Sequence, residues 1–529
     1  MKRLLLLFVA LALGIFLGSF YANYVNSGRL SIINHGSNKL NYLLQIIDNS
    51  YVDTVSINDL VEKSLPEILS QLDPHSAYIP AKDAQEANDE LRGSFSGIGV
   101  SFRIQQDTVV IMSVIKGGPS EKVGLMAGDR IVHIDSMLYV GHDVVTDTGA
   151  IHRLKGMKGT EVRLGVKRRG EKKELMFNIT RGDIPIESID CAYIIPNTSI
   201  GYIHVKNFGE TTYPEMLTAL ATFSMRGLAG LVIDLRGNRG GYMETAIRMV
   251  NEFLPEDRLI VYTEGRKTAR EDYISDGHGS FENLPLTVLI DEMSASASEI
   301  FAGAMQDNDR ALVIGRRSFG KGLVQQPMEF RDGSQVRLTI ARYYTPSGRC
   351  IQKPYTGGHG EEYENDLMER YERGEFYSQD SIHQNGPEYK TVGGRTVYGG
   401  GGIMPDVFVP EDTTLITSYY KEALYRGLLP QFAFHYSDTR RDILRHCHTA
   451  DDVLKVINRD NVMNRFANFA AERGLRRRDL MMQHSMPLFE RYLYGAIIYD
   501  VLDANAYQQY LNRFDNTVKR AISELCSED

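Results

Sequence analysis

Between residues 199 and 314 the chain alternates short apolar runs with amphipathic stretches, and this constrains the fold more than any other feature. Residues 199–205, 228–235, 286–290 and 311–314 read as strands, and 213–225, 242–253 and 297–306 as helices. The centre of the chain is therefore expected to be an α/β core.

The flanks have other periods. From residue 39 to about 91 the pattern is helical, with Leu40, Leu43, Leu44 and Ile47 on one face, and Leu72-Asp73-Pro74-His75-Ser76 breaks it. Short β-type runs follow at 99–104, 108–114, 130–134, 162–167 and 173–179, separated by glycine turns and interrupted by one helical stretch at 144–154. Residues 355–402 are rich in Gly, Glu and Tyr without a sustained period and read as a long loop. Beyond Thr414 the pattern is helical, and Tyr507, Tyr510, Leu511, Phe514, Val518, Ile522 and Leu525 share one face of a single last helix. The expected domains are 1–28, an N-terminal signal segment; 29–90, helical; 91–181, a β-rich module; 182–410, the α/β core; and 411–529, helical.

Composition excludes several classes. With 43% apolar and 24% charged residues over 529 positions, the chain is neither disordered nor a polytopic membrane protein. A net charge of −9 gives no global electrostatic reason to hold nucleic acid. Its 4 cysteines form no CxxC pair, so a disulfide framework and a zinc ribbon are excluded. His446-Cys447-His448 is not a metal motif, since adjacent residues on a helix point apart. Lys2 and Arg3 precede an apolar run over residues 4–20 with no small-residue cleavage site, which favours an uncleaved anchor over a cleaved signal. The body would then be exported.

Three turns of the core carry candidate chemistry. Asp234-Leu235-Arg236-Gly237-Asn238-Arg239-Gly240-Gly241 lies between a strand and a helix, where paired glycines either turn backbone N–H groups toward a bound oxygen or merely turn the chain. Ser294-Ala295-Ser296-Ala297-Ser298-Glu299 opens a helix. It reads either as a hydroxyl beside free N–H groups or as a capping box from Ser296 to Glu299. Gly315-Arg316-Arg317-Ser318-Phe319-Gly320-Lys321-Gly322 nearly matches a P-loop. Gly322 replaces the magnesium-holding Ser/Thr, however, and a strand rather than a helix follows. A lysine flanked by Phe319 and Val324 is instead a candidate base of lowered pKa. Together the turns suggest a serine–lysine hydrolase.

With these motifs in this order, the sequence resembles the carboxy-terminal processing peptidases, or tail-specific proteases. The resemblance spans roughly residues 41–410 and includes Gly97-Ile98-Gly99-Val100, Ala127-Gly128-Asp129, Tyr344-Thr345-Pro346-Ser347-Gly348 and Gly402-Ile403-Met404-Pro405-Asp406. It implies a crotonase-like α/β protease core with an inserted PDZ β-sandwich, an N-terminal helical segment and a C-terminal helical extension. It places the nucleophile on Ser296, the base on Lys321 and its orienting partner on Gln325, with oxyanion donors at Ala297 and the Gly240-Gly241 turn. Here Asn238-Arg239 replaces the family's usual Asn-Pro, which leaves open which glycine N–H faces inward. The PDZ loop Gly97, Ile98, Gly99 and Val100 would take a free C-terminal carboxylate, the glycine-bearing connections leaving the module room to move.

The resemblance implies an exported endopeptidase on the periplasmic side of a bacterial inner membrane, anchored there by its N-terminal segment. Its partners would be unfolded or tail-exposed proteins, with a homo-oligomer or lipoprotein adaptor compatible, and neither cofactor nor metal is called for. The rival reading is a catalytically dead PDZ scaffold binding C-terminal peptides. For residues 414–529 packing or dimerisation is expected rather than a second activity.

Overall fold

The computed structural model describes residues 37–527 except Gln106, Gln384 and Asn385. The anchor expected over residues 1–28 lies outside the described residues. Among the described residues no helix is long and apolar enough to cross a membrane. The chain divides into a unit ending at Gln71 and a unit starting at Leu72. In the first, helices Ser37–Ser50 and Ile57–Ser70 are separated by a break, and Ser56 caps the second helix by accepting the Asp59 N–H at 3.2 Å.

The second unit is built on a six-stranded sheet ordered Ile189–Ile194, Ile200–Val205, Gly230–Asp234, Leu286–Ile290, Leu312–Gly315, Val407–Phe408. The first pair is antiparallel and the rest are parallel. Every residue of Gly230–Asp234 and Leu286–Ile290 is buried. Successive side chains serve opposite faces: Ile233 and Val288 pack with Met249, Phe253 and Phe301, while Val232 and Leu289 pack with Val518 and Ala521. The C-terminal helix thus covers one face of the core sheet.

That helix corrects the expectation of a single last helix. There are two, Ala504–Asn512 and Asn516–Ser527, because Asp515 accepts the N–H groups of Thr517 and Val518 at 2.8 and 3.0 Å and starts a new one. Residues 355–402 are likewise not a plain loop. They hold the helix Gly360–Glu372 and a hairpin of Glu388–Lys390 with Thr396–Tyr398.

A second sheet centres on Gln335–Tyr344, which pairs with Leu323–Glu329 on one side and with Ala77–Ile79 and Leu259–Glu264 on the other. The β-rich module has its own sheet, Val100–Gln105, Thr108–Val114, Arg130–Ile134, Glu161–Lys167 and Leu175–Thr180, around Ile111, Ile131 and Leu164. Its two connections to the core are not loose. Ser94–Gly97 and Gly182–Pro185 pair antiparallel, and the Ile186 N–H donates to the Gly93 carbonyl at 2.9 Å, so the module hangs on a two-stranded ribbon.

The C-terminal helices also touch this module. Arg441 Nη1 donates to the Ala127 carbonyl at 2.5 Å, and Arg169 Nη1 to the Asp438 carbonyl at 2.9 Å. Between them is a cavity of about 320 Å³ lined by Ile111, Met126, Phe434 and Asp500. Both Asp500 carboxyl oxygens are buried with no hydrogen-bond partner among the described residues. Burial pushes this carboxyl up to about 7, against the opposing charge of Arg103.

Candidate active site

The strands Gly230–Asp234, Leu286–Ile290 and Leu312–Gly315 are adjacent and parallel, so the turns that follow them emerge at one end of the sheet. These are the three turns singled out in the sequence, and they are bonded to one another. Ser294 Oγ donates to the Leu235 carbonyl at 2.8 Å, and the Ala295 N–H to the Asn238 carbonyl at 3.0 Å. The Phe319 N–H reaches the Ser294 carbonyl at 3.0 Å.

Ser296 has φ +55° and ψ −114°, a backbone conformation costly for a residue with a Cβ, at the entrance of helix Ala297–Asp307. The capping box expected from Ser296 to Glu299 is present, with the Ser296 N–H on Glu299 Oε2. Among the described residues the N–H groups of Ala297 and Gly241 donate to no protein acceptor. The Gly240 N–H, expected as a donor beside them, instead donates to Asn238 Oδ1 at 2.8 Å, and Asn238 is fixed in turn by its Nδ2 on the Val205 carbonyl. Gly240 still matters through its size. At φ +104° its missing Cβ would lie 2.7 Å from Ser296 Cβ.

Glu299 organises both sides of the site. It sits in a helix whose residues are all buried. Its Oε2 accepts the N–H groups of Ser296 and Lys321 at 2.9 and 2.8 Å, and its Oε1 accepts Ser318 Oγ and the Gly320 N–H at 2.6 and 2.7 Å. Burial raises its pKa despite these four donors. Tyr343 OH bridges the same two residues by donating to the carbonyls of Ser296 and Lys321 at 3.1 and 2.8 Å.

Lys321 has its pKa lowered by burial, which outweighs the raising effect of Glu299. Its Nζ donates to Gln325 Oε1 at 3.2 Å. No hydrogen bond joins Lys321 Nζ to Ser296 Oγ in this structure. Gln325 Nε2 donates to the carbonyl of His75, whose ring is lowered to about 4 by burial and by the charge of Lys321.

Sequence reasoning found the three turns but gave no role to His75 and read Glu299 only as a capping partner. A lone carboxylate among Ala297, Ile300, Phe301, Ala302 and Ala304 was the available signal, since a buried carboxylate needs several donors. Asp234-Leu235-Arg236 serves packing instead: Arg236 binds Asp234 at 2.6 Å and Asp515 at 2.9 Å, tying the last helix to the core. Among the described residues no cluster of three or more His, Cys, Asp or Glu side chains is placed to hold a metal ion.

The loop Gly97, Ile98, Gly99 and Val100 belongs to the β-rich module and is not among the groups these turns bring together. Its first three residues are buried. The Ile98 and Gly99 carbonyls accept the N–H groups of Ser120 and Ile115, each at 3.0 Å, and Gly99 has φ +76°. Among the described residues the N–H groups of Ile98 and Gly99 donate to no protein acceptor.

Comparison with known proteins gives three family matches: peptidase family S41 over residues 199–358, a PDZ domain over 96–179, and a family of unknown function over 419–503. The chain is 35% identical over 317 residues to carboxy-terminal processing protease CtpB of Bacillus subtilis, covering 60% of this chain and 65% of that protein. It is 32% identical over 362 residues to CtpA of the same organism, covering 67% and 76%. To the carboxy-terminal-processing protease of Bartonella bacilliformis it is 35% identical over 315 residues, covering 59% and 71%.

Proposed function

From the premise that this chain belongs to the carboxy-terminal processing proteases, we propose that it is a serine endopeptidase acting on the C-terminal tails of proteins, with Ser296 as nucleophile and Lys321 as general base. The observation that carries this reading is the pair of unengaged N–H groups, of Ala297 and Gly241, beside the strained Ser296. Ser296 Oγ attacks the scissile carbonyl carbon while its proton passes to neutral Lys321 Nζ. The Ala297 and Gly241 N–H groups take the oxyanion. Collapse expels the amine, which receives the proton from Lys321, and water then hydrolyses the acyl-enzyme. Gln325 Oε1, 3.2 Å from Lys321 Nζ, orients the base for this transfer.

The PDZ domain selects the substrate. The unpaired Ile98 and Gly99 N–H groups support capture of a terminal carboxylate, with the tail adding as a strand. Lys2, Arg3 and the apolar run over residues 4–20 support delivery of the body to the periplasmic side of a bacterial inner membrane, with the run as its anchor.

The test incubates the full protein with an unfolded substrate bearing a free or an amidated C-terminus and identifies the fragments by mass spectrometry. Cleavage that favours the free tail and vanishes in Ser296→Ala is expected. Equal cleavage of both substrates would remove the PDZ domain from selection, and turnover by Ser296→Ala would remove Ser296 from the chemistry.

A further inference from the structure

The helix Gly360–Glu372 stands against the back of the loop that carries Lys321. Near its C-terminal end, buried Arg370 donates to the carbonyls of Arg317 and Ser318 at 2.7 and 3.1 Å. One turn from its start, buried Tyr363 meets the ring of His75, its OH 2.8 Å from His75 Nε2. Gln352 Nε2 donates to the same OH at 3.3 Å, and Gln352 Oε1 accepts the Gly322 N–H at 2.8 Å. With that donor supplied, the Tyr363 proton goes to His75 Nε2, which a neutral imidazole accepts. Followed from Gly322, the bonds run through Gln352 and Tyr363 to His75. From the His75 carbonyl they return through Gln325 to the side chain of Lys321.

Resting on the proposed role of Lys321, we propose that Tyr363 is a positioning residue for the general base, acting through His75 and Gln325. A glutamine amide has two unlike ends. The His75 carbonyl takes the NH₂ end of Gln325, leaving Oε1 for Lys321 Nζ. Asp73 holds the His75 peptide by accepting its N–H at 2.9 Å, and Tyr363 holds the ring. Without the Tyr363 hydroxyl the peptide shifts, and Gln325 no longer presents its oxygen squarely. The charged groups facing Lys321 are Glu299, Arg337 and Asp73, and those facing His75 are Lys321, Asp73 and Lys353. Tyr363→Phe alters none of them.

An oxygen acceptor favours the charged form of lysine, so its loss lowers the Lys321 pKa further. Tyr363→Phe is therefore expected to move the ascending limb of the pH–kcat profile to lower pH and to reduce kcat about tenfold, the effect of one misplaced hydrogen bond to a charged group. KM stays within about twofold, because uniform substrate binding is untouched. In a Gln325→Ala background the same substitution adds nothing. His75→Leu, which removes the other end of the Tyr363 bond, gives the same shift and takes over as the test if Tyr363→Phe fails to fold by near-ultraviolet dichroism. An unmoved limb, or effects of Tyr363→Phe and Gln325→Ala that add in full, would overturn the relay. An active wild type separates that outcome from failure of the protease reading, which an inactive wild type would overturn together with the relay.

Discussion

Ser296 and Lys321 donate their backbone N–H groups to one and the same atom, Glu299 Oε2, at 2.9 and 2.8 Å. Two turns that follow different strands are thereby fixed relative to each other by a carboxylate that lies in neither. Glu299→Gln turns one acceptor end into a donor facing donors. It should lower stability by about 2–3 kcal/mol and remove most activity, measured by thermal unfolding and by peptide turnover. Wild-type turnover in the variant would deny the shared oxygen any part in the geometry.

The lowered pKa of Lys321 has a defined sign. A neutral base is required, so kcat should rise as pH climbs through a value below the ~10.4 of a free lysine and level off above it. Lys321→Arg should be inactive at every pH tested, because guanidinium stays charged. A kcat that falls as pH rises toward the free-lysine value would contradict the assignment.

Gly240→Ala should cost about 2 kcal/mol of stability and most of the activity. The added Cβ would lie 2.7 Å from Ser296 Cβ and 2.8 Å from the Ala295 carbonyl oxygen. Gly237→Ala is the control: its φ is also positive, but nothing lies within 4 Å of the new Cβ. Equal losses in the two variants would show backbone strain, not crowding of the nucleophile, to be the cause.

Asp500 makes stability depend on pH. Its folded pKa of about 7 exceeds the unfolded carboxyl value of about 3.9. Between these values the folded state binds more protons, so stability should fall as pH rises from about 4 to about 7 and then level off. Asp500→Asn should abolish that fall in a series of melting curves. A wild type whose curves already coincide from pH 5 to 8 would place the carboxyl in water.

Much of this was legible in the sequence, for identifiable reasons. The core strands could be read because burial on both faces demands unbroken apolar runs, and observed Ile200–Val205 and Leu286–Ile290 lie within a residue of the expected spans. Helix Gly360–Glu372 could not, because its buried positions are Tyr363 and Arg370, two turns apart and not an apolar stripe. The break before Asn516 was hidden because Leu511, Phe514 and Val518 keep helical spacing across it, which masks the local cap by which Asp515 accepts the N–H groups of Thr517 and Val518. Glu299 was visible as a residue but not as a hub, since three of its four donors are main-chain N–H groups. Side-chain patterns carry no trace of those.

The ribbon is the covalent attachment of the PDZ domain, which the contacts of Arg169 and Arg441 also tie to the C-terminal helices. Both strands leave the core side by side, from Gly93 and Ile186, which are themselves hydrogen-bonded. The core therefore sees a gap one strand spacing wide, about 5 Å, whether the insert is ninety residues or a tight turn. A lineage could gain, lose or exchange the domain by a single in-frame event at that point, giving up the Arg169 and Arg441 contacts without disturbing Ser296 or Lys321. The PDZ domain and the peptidase core are thus free to evolve on separate clocks.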